Sequence, residues 1–316
     1  MYNPSDDRAG KNRKSMIAIF YRLNGELIVS QSATELSRID RKDVLWIDIL
    51  APDGDEKHTV DEFLGVEIPS RAKAEEIESS SRFMENEKAI FANTNFLMPG
   101  PEDYTMEAVS FTFVEGCMAT LRDVPLRSFT ELQRRIVAMP SQYVSGFSVF
   151  ASIMDQRVDL DADMIELMTK EISQYSKRIN QQEDINEDFL LDINQLQENT
   201  MIVRENIIDK QRLIQNMIKS DKYPQELQAR FNVILQDITS LINHANFSFE
   251  RLEYLQETVL GLINLDQNNI MKIFTLVSVL LMPPTLVASF YGMNVPLPFQ
   301  DKGLAWLFLL MFMLVL

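Results

Sequence analysis

Apolar and polar positions alternate in short runs over the first half of the chain, follow a helical period over the second half, and merge into uncharged apolar runs near the C-terminal end. Alternating or β-branched runs predict strands, and apolar residues three and four positions apart predict helices. The predicted strands are 16–22, 44–49, 89–96, 108–114 and 117–122. The predicted helices of this region are 55–64, 70–79 and 129–139. These elements predict a compact α/β domain over residues 15–148.

Helical periodicity dominates beyond residue 148, where glycine nearly vanishes until Gly261. It predicts an acidic helical hairpin over residues 149–223, with helices at about 149–182 and 187–219. A third helix begins near Pro224, because proline is favoured in a first helical turn. Over residues 224–272 we expect this helix to form a stalk.

The stalk helix carries an apolar seam with alternate spacings of three and four, which is typical of a left-handed coiled coil or bundle. A helix of this length is not stable alone, so we expect neighbours to cover the seam, most simply the parallel copies of an oligomer. The seam consists of Leu227, Phe231, Ile234, Ile238, Leu241, Ala245, Ser248, Leu252, Leu255, Val259 and Leu262.

The apolar runs at the C-terminal end predict a membrane anchor. Residues 273–291 carry no charge, and as a helix rising about 1.5 Å per residue they nearly match the ~30 Å hydrocarbon core of a bilayer. After a loop over residues 292–303, residues 304–316 are again uncharged, but a span needs about 17 residues or more. We therefore expect only the start of a second transmembrane helix here. Residues 1–14 lack a secretory pattern and predict a disordered basic arm.

Composition argues against several classes of function. The chain has 46 acidic and 30 basic residues and a formal net charge of −16, which argues against nucleic-acid binding and favours cations as partners. Cys117 is the sole cysteine, and His58 and His244 lie outside any zinc-binding spacing. No P-loop, dinucleotide-binding or nucleophile-elbow motif occurs. We expect neither an enzyme nor a covalently bound cofactor.

The spacing of three and four positions continues into the first apolar run as a stripe of amide, hydroxyl, thioether and small residues. Such a stripe is typical of helix packing in membranes, and it also fits a pore wall with oxygens facing water. Pro283 and Pro284 leave backbone carbonyls without helical donors, which favours a wet or protein-lined surrounding. The stripe is Asn268, Met271, Thr275, Ser278, Met282, Thr285, Ser289 and Gly292.

The motif Tyr291-Gly292-Met293-Asn294 directly follows this run, and Met-Pro-Pro-Thr precedes it at 282–285. Together they closely resemble the CorA family of magnesium channels, whose mark is Gly-Met-Asn at the end of the first of two transmembrane helices. The resemblance is strong over about residues 225–303. It departs in the outer loop, where Asp301 is the only acidic residue.

The resemblance implies an α+β membrane protein: a funnel-shaped homopentamer with a cytosolic N-terminal α/β domain, a long helical stalk and a two-helix transmembrane hairpin. It places the protein in the inner membrane, in contact with lipid. The implied selectivity filter is Tyr291, Gly292, Met293 and Asn294. The resemblance implies that the pore is lined by Asn268, Met271, Phe274, Met282 and Thr285, with Met271, Phe274 and Met282 as the gate. The stripe adds Thr275, Ser278 and Ser289 as candidate pore-lining residues.

The resemblance further implies influx of Mg²⁺, and also of Co²⁺ and Ni²⁺, driven by the membrane potential. Magnesium dehydrates reluctantly, so neutral amides of Asn294 can hold the ion by its water shell. The family closes when cytosolic Mg²⁺ binds acidic sites between subunits. Candidate ligands are Asp237, Glu257, Glu183, Asp184, Glu187 and Asp188, for which a solvated charged face is the alternative.

Two other functions stay open. The first is transport of zinc or another divalent cation within the same superfamily, although the zinc branch typically has isoleucine in place of Met293. The second is a non-conducting scaffold, a membrane-tethered coiled coil whose stripe only packs against other helices.

Overall fold

The computed structural model describes residues 16–69, 82–100, 104–181, 185–292 and 311. Within these residues the N-terminal part is a seven-stranded sheet in the order β2-β1-β3-β7-β6-β5-β4. Neighbouring strands are antiparallel except for the central pair, β3 and β7, which are parallel. The strands are β1 Met16–Leu23, β2 Glu26–Ser30, β3 Val44–Leu50, β4 Phe83–Glu85, β5 Ile90–Pro99, β6 Tyr104–Val114 and β7 Cys117–Arg122.

Helices cover the two faces of this sheet unequally. The short helix α1 packs on one face through Val60 and Leu64. The other face lies against a continuous hydrophobic core that α2, α3, α4 and α5 share. The helices are α1 Gly54–Leu64, α2 Arg127–Ala138, α3 Gly146–Gln181, α4 Glu187–Lys219 and α5 Gln228–Tyr291.

Local sequence signals explain where α1 starts and stops. The Asp53 carboxylate accepts a hydrogen bond from the N–H of Glu56, and the Glu56 side chain accepts one from the N–H of Asp53, which is a capping box. The helix ends at Gly65, whose φ of 69° is left-handed and favours glycine.

A buried ionic network joins the centre of the sheet to α2. The Asp48 carboxylate accepts from Arg122 Nη2 at 2.7 Å, from the Thr120 hydroxyl at 2.9 Å and from Gln133 Nε2 at 2.8 Å. Trp46 Nε1 donates to the Thr120 hydroxyl at 3.0 Å. The polar side chains of this network are therefore paired with one another, and these bonds fix β3 against β7.

The sequence predictions agree with most of these elements. The five predicted strands and the helices at 55–64, 129–139, 149–182 and 187–219 correspond to observed elements whose ends differ by a few residues at most. The prediction missed β2 and β4, which lie at the two edges of the sheet. The helix at 70–79 and the arm at 1–14 lie outside the described residues. The α/β fold leading into one long helix is confirmed.

The expectation about the stalk seam was wrong in one respect. The seam of α5 is buried, as at Phe231, Ile238 and Leu252, but α3 and α4 of the same chain cover it. Polar contacts accompany this packing: Gln256 Nε2 donates to Asn194 Oδ1 at 2.9 Å. The seam is therefore covered largely within one chain, so contacts between copies through α5 would use another of its faces.

Candidate functional site

The helix α5 is one continuous helix of 64 residues. At about 1.5 Å per residue it is roughly 96 Å long. Within the described part of the chain, it is the one helix long and apolar enough to cross a membrane, and its apolar segment is not buried by the rest of the chain. The N-terminal half of α5 packs against α3 and α4, whereas the C-terminal half extends free of them.

The predicted stripe lies on this free half, and its side chains are exposed from Asn268 to Ser289. At about 100° per residue these positions fall within roughly a third of the helix circumference. The structure therefore brings the predicted pore residues onto one face of a single helix. Tyr291 ends the helix and Gly292 follows in a turn. Met293 and Asn294 lie outside the described residues.

The stripe does not continue the buried seam, contrary to the sequence analysis. Six residues separate Leu262, the last seam position, from Asn268. Six residues turn an α-helix by about 600°, so Asn268 lies about 120° around the helix from Leu262. The seam faces the rest of the chain, whereas the stripe faces outward.

Two parallel lines make up the stripe, each with a step of seven residues. One line contains Asn268, Thr275, Met282 and Ser289, and the other contains Met271, Ser278, Thr285 and Gly292. A seven-residue step drifts by about 20° per repeat on a straight helix, and a left-handed supercoil removes that drift. Both lines can thus face a common axis along their whole length.

Two threonines on these lines have their hydroxyl protons engaged by the helix itself. The Thr275 hydroxyl donates to the Met271 carbonyl and the Thr285 hydroxyl to the Leu281 carbonyl, each at 2.7 Å. Each hydroxyl oxygen keeps its lone pairs for an outside donor. Waters bound to a cation point their hydrogens outward, so these oxygens suit a hydrated cation better than a bare anion.

The prolines add further acceptors at the same level. Pro283 and Pro284 lie inside α5, and the helix continues through them. Proline has no N–H, so the carbonyls of Val279 and Leu280 lose their donors four residues ahead. Free carbonyls are costly in hydrocarbon. This segment of α5 therefore favours contact with water or with another protein surface.

The candidate regulatory acids are only partly brought together. Asp237 is exposed on α5 and lies near the acidic face of α3. The pKa of Asp159 on that face is raised by partial burial and then by the negative charges of Asp155, Asp163 and Asp237. Sequence reasoning missed the three α3 acids. Their spacing of four residues is visible in the sequence, but the packing of this face of α3 near α5 is not.

The other regulatory candidates remain apart within one chain. Glu257 on α5 and Asp188 on α4 are exposed. Glu187 begins α4, and Glu183 and Asp184 lie outside the described residues. Among the described residues, no group of three histidine, cysteine or acidic side chains is placed to hold a metal ion.

A sheet domain joined by long helices to an exposed apolar segment long enough to cross a membrane is the organisation expected of a membrane-anchored protein. A family model described as "CorA-like Mg2+ transporter protein" matches residues 41–316. The chain therefore belongs to the CorA family.

Individual relatives and solved structures agree with this assignment. The chain is 31% identical over 284 residues to the magnesium transport protein CorA of Wolinella succinogenes, covering 88% of each chain. It is 31% identical over 255 residues to that of Salmonella typhimurium, covering 80% of this chain and 81% of the relative. The complete CorA magnesium transporter of Methanocaldococcus jannaschii has a similar fold, with a TM-score of 0.75, 15% identity and coverage of 96% of this chain and 95% of that chain.

Proposed function

We propose that copies of this chain assemble around the exposed stripe of α5 and form a channel that conducts Mg²⁺ down the membrane potential. The exposed stripe is the observation that carries this proposal, because an apolar membrane helix that presents oxygens along one face needs water or protein there. The relatives named as magnesium transport proteins support Mg²⁺ as the ion. The proposed assembly is a homopentamer of a multi-pass protein in the inner membrane, as the resemblance to the CorA family implies.

Hydrated Mg²⁺ suits the chemistry of this stripe. The ion holds its water molecules in an octahedral shell and loses them reluctantly. Asn294 at the outer end and Thr285 within the helix offer neutral oxygens that accept hydrogen bonds from those waters. Neutral groups bind the ion without trapping it, so that it can leave. Co²⁺ and Ni²⁺ carry similar hydrated shells and are expected to follow the same path.

The driving force needs no chemical fuel. One elementary charge gains roughly 2.3 kcal/mol per 100 mV, so a divalent ion gains about 4.6 kcal/mol, equal to more than a thousandfold concentration ratio. With the N-terminal domain in the cytoplasm, an inside-negative potential draws Mg²⁺ inward along α5. Met271, Phe274 and Met282 supply the apolar constriction that closes this path.

Cytosolic Mg²⁺ supplies the closing signal in this proposal. Partial burial raises the pKa of Asp159, and the negative charges of Asp155, Asp163 and Asp237 raise it further, because these carboxylates repel that of Asp159. A divalent cation at a subunit contact containing these carboxylates relieves that repulsion and stabilises the closed assembly. Glu257, Glu183, Asp184, Glu187 and Asp188 are further candidates. Depletion of Mg²⁺ leaves the contact loose and the pore free to open.

A flux assay with matched variants tests conduction. The purified full chain is reconstituted into vesicles that contain a Mg²⁺-sensitive dye, and uptake is compared for wild type, Asn294→Ala and Asn268→Ala. Asn269→Ala is the control, because Asn269 has the same side chain one position off the stripe. Both stripe variants are expected to lower uptake, and the control is not. Hexaamminecobalt, which mimics a hydrated ion, is expected to block the wild type.

Other outcomes separate the alternatives. Uptake no higher than in protein-free vesicles, for the wild type and all variants, would mean that the stripe only packs, as in a non-conducting scaffold; equal uptake above that background would mean that ions do not pass along the stripe. Uptake of Zn²⁺ in preference to Mg²⁺ would assign the chain to zinc transport. Any of these results would contradict the proposal.

A further inference from the structure

Two large aromatic side chains on the stalk half of α5 are unusually exposed. Phe247 is 63% exposed and Tyr254 is 67% exposed. Their neighbours Ala245, Leu252 and Leu255 are buried against α3 and α4. Exposed aromatic surface that recurs along one helix face marks a contact site. The two rings therefore point away from their own chain.

The position of these rings in the heptad register identifies the partner. Tyr254 lies two heptads before Asn268, and Phe247 lies three heptads before it. They belong to the same line as Asn268, Thr275 and Met282. An arrangement that turns this line of the stripe towards a common axis also turns both rings towards that axis. Only copies of the same helix surround that axis.

The membrane fixes how the copies are oriented. Every copy inserts its apolar segment in the same direction, so the helices are parallel and identical residues lie at the same level. Neighbouring helices pack about 8–10 Å apart. Rings that project from such helices towards the common axis come within the 4.5–7 Å between ring centroids at which aromatic pairs pack edge to face.

We propose that Tyr254 and Phe247 form two aromatic collars, each made by the same residue of successive copies, which narrow the cytosolic mouth of the ion path. This inference rests on the proposed function, because the collars need the shared axis. It adds that the path has a constriction on the stalk, outside the membrane segment.

Cross-linking of the full-length chain in membranes tests the geometry. Tyr254→Cys and Phe247→Cys are treated with a short bifunctional maleimide, and both are expected to give covalent oligomers. Leu191→Cys is the matched control, since Leu191 is 64% exposed but lies on α4. The natural Cys117 gives little background, because burial raises the pKa of its thiol to about 12.

A fourth variant distinguishes failure of the collars from failure of the pore. Met282→Cys lies on the same line inside the membrane segment. If Met282→Cys is cross-linked and the two stalk variants are not, the collars are absent although the axis exists. If none of the three is cross-linked, the shared axis itself is wrong. Equal cross-linking of Leu191→Cys would also overturn the assignment.

Flux measurements test what the collar at Tyr254 does. Tyr254→Phe keeps the ring and is expected to stay within about twofold of wild-type Mg²⁺ uptake. Tyr254→Ala removes the ring contacts between copies and is expected to raise uptake about threefold or more. Unchanged or lower uptake by Tyr254→Ala would show that the ring does not narrow the path.

Discussion

The ammonium of Lys210 lies 2.8 Å from Oδ2 of Asp161, and neither side chain reaches solvent. Arg157 Nη2 donates to the other oxygen of the same carboxylate at 2.8 Å. Lys210 also donates to Asn206, whose amide donates to the carbonyl of Asn95 on β5 at 2.8 Å. Two buried cations thus share one carboxylate where α3, α4 and the sheet meet. Burial lowers the pKa of Lys210 to about 8; the carboxylate of Asp161 acts to raise this pKa, and the positive charge of Arg157 acts to lower it.

This pKa predicts how stability depends on pH. The folded pKa of Lys210 lies below its ordinary value of 10.5. Between these two values the unfolded chain binds more protons than the folded chain, so the contribution of Lys210 to stability rises with pH. Lys210→Met cannot show this rise. The melting temperature of the wild type, measured relative to that of Lys210→Met, is expected to increase between about pH 8 and about pH 10.5. If the melting temperatures of the two proteins changed with pH in parallel, the lowered pKa of Lys210 would be contradicted.

Loss of Asp48 is expected to destabilise the sheet domain severely. Asp48 and Arg122 are both buried, and Asp48→Ala leaves the guanidinium without its carboxylate. Breaking a buried ion pair from one side costs about 3–5 kcal/mol. Chemical denaturation checks this cost. Glu166→Ala is the control: its pair with Lys170 is exposed and is expected to contribute little. A small effect of Asp48→Ala would mean that Arg122 finds another partner.

The start of α3 depends on a close approach that only glycine permits. A Cβ on Gly146 would lie 2.6 Å from both the backbone N and the Cβ of Met118 on β7. Gly146→Ala is expected to destabilise the chain by about 1–3 kcal/mol, as overpacking does. Gly54→Ala meets nothing within 4 Å and serves as the control. Thermal melting of both variants checks this, and equal melting temperatures would show that α3 can shift without cost.

A conservative pair of variants tests the pore role of Thr285. Thr285→Val keeps the shape but removes the oxygen that faces outward, whereas Thr285→Ser keeps an acceptor. One hydrogen bond contributes roughly 1 kcal/mol, so we expect Mg²⁺ uptake by Thr285→Val to fall about fivefold. Thr285→Ser is expected to retain most of the wild-type rate. If both variants conduct equally, Thr285 does not contact the hydrated ion.

Strong local patterns made much of the fold predictable. The strand at Cys117–Arg122 is buried and has a turn on its N-terminal side, and its predicted and observed ends coincide. The edge strand β2 was missed because its residues are only partly buried and show no clean alternation. The edge strand β4 has only three residues. Edge strands are stabilised by pairing with a neighbour, which a local pattern does not show.

The exposed stripe was predictable as a list of residues but not as an arrangement in space. The spacing identified both the buried seam of α5 and the exposed stripe. It did not reveal that α3 and α4 cover the seam, because helix-to-helix contacts depend on residues far apart in sequence. The exposed rings of Phe247 and Tyr254 were missed for the same reason, since one face of α5 becomes free only when the opposite face is packed.

The central claim is that Mg²⁺ crosses the membrane passively through the assembled α5 stripe. It is tested most directly by Mg²⁺ uptake into vesicles that contain the purified full chain, lack nucleotide, and carry a potassium diffusion potential of either sign. We predict rapid uptake at an inside-negative potential, slow uptake at zero potential, and none into protein-free vesicles. Uptake that is absent, or that does not change with the potential, would contradict the account.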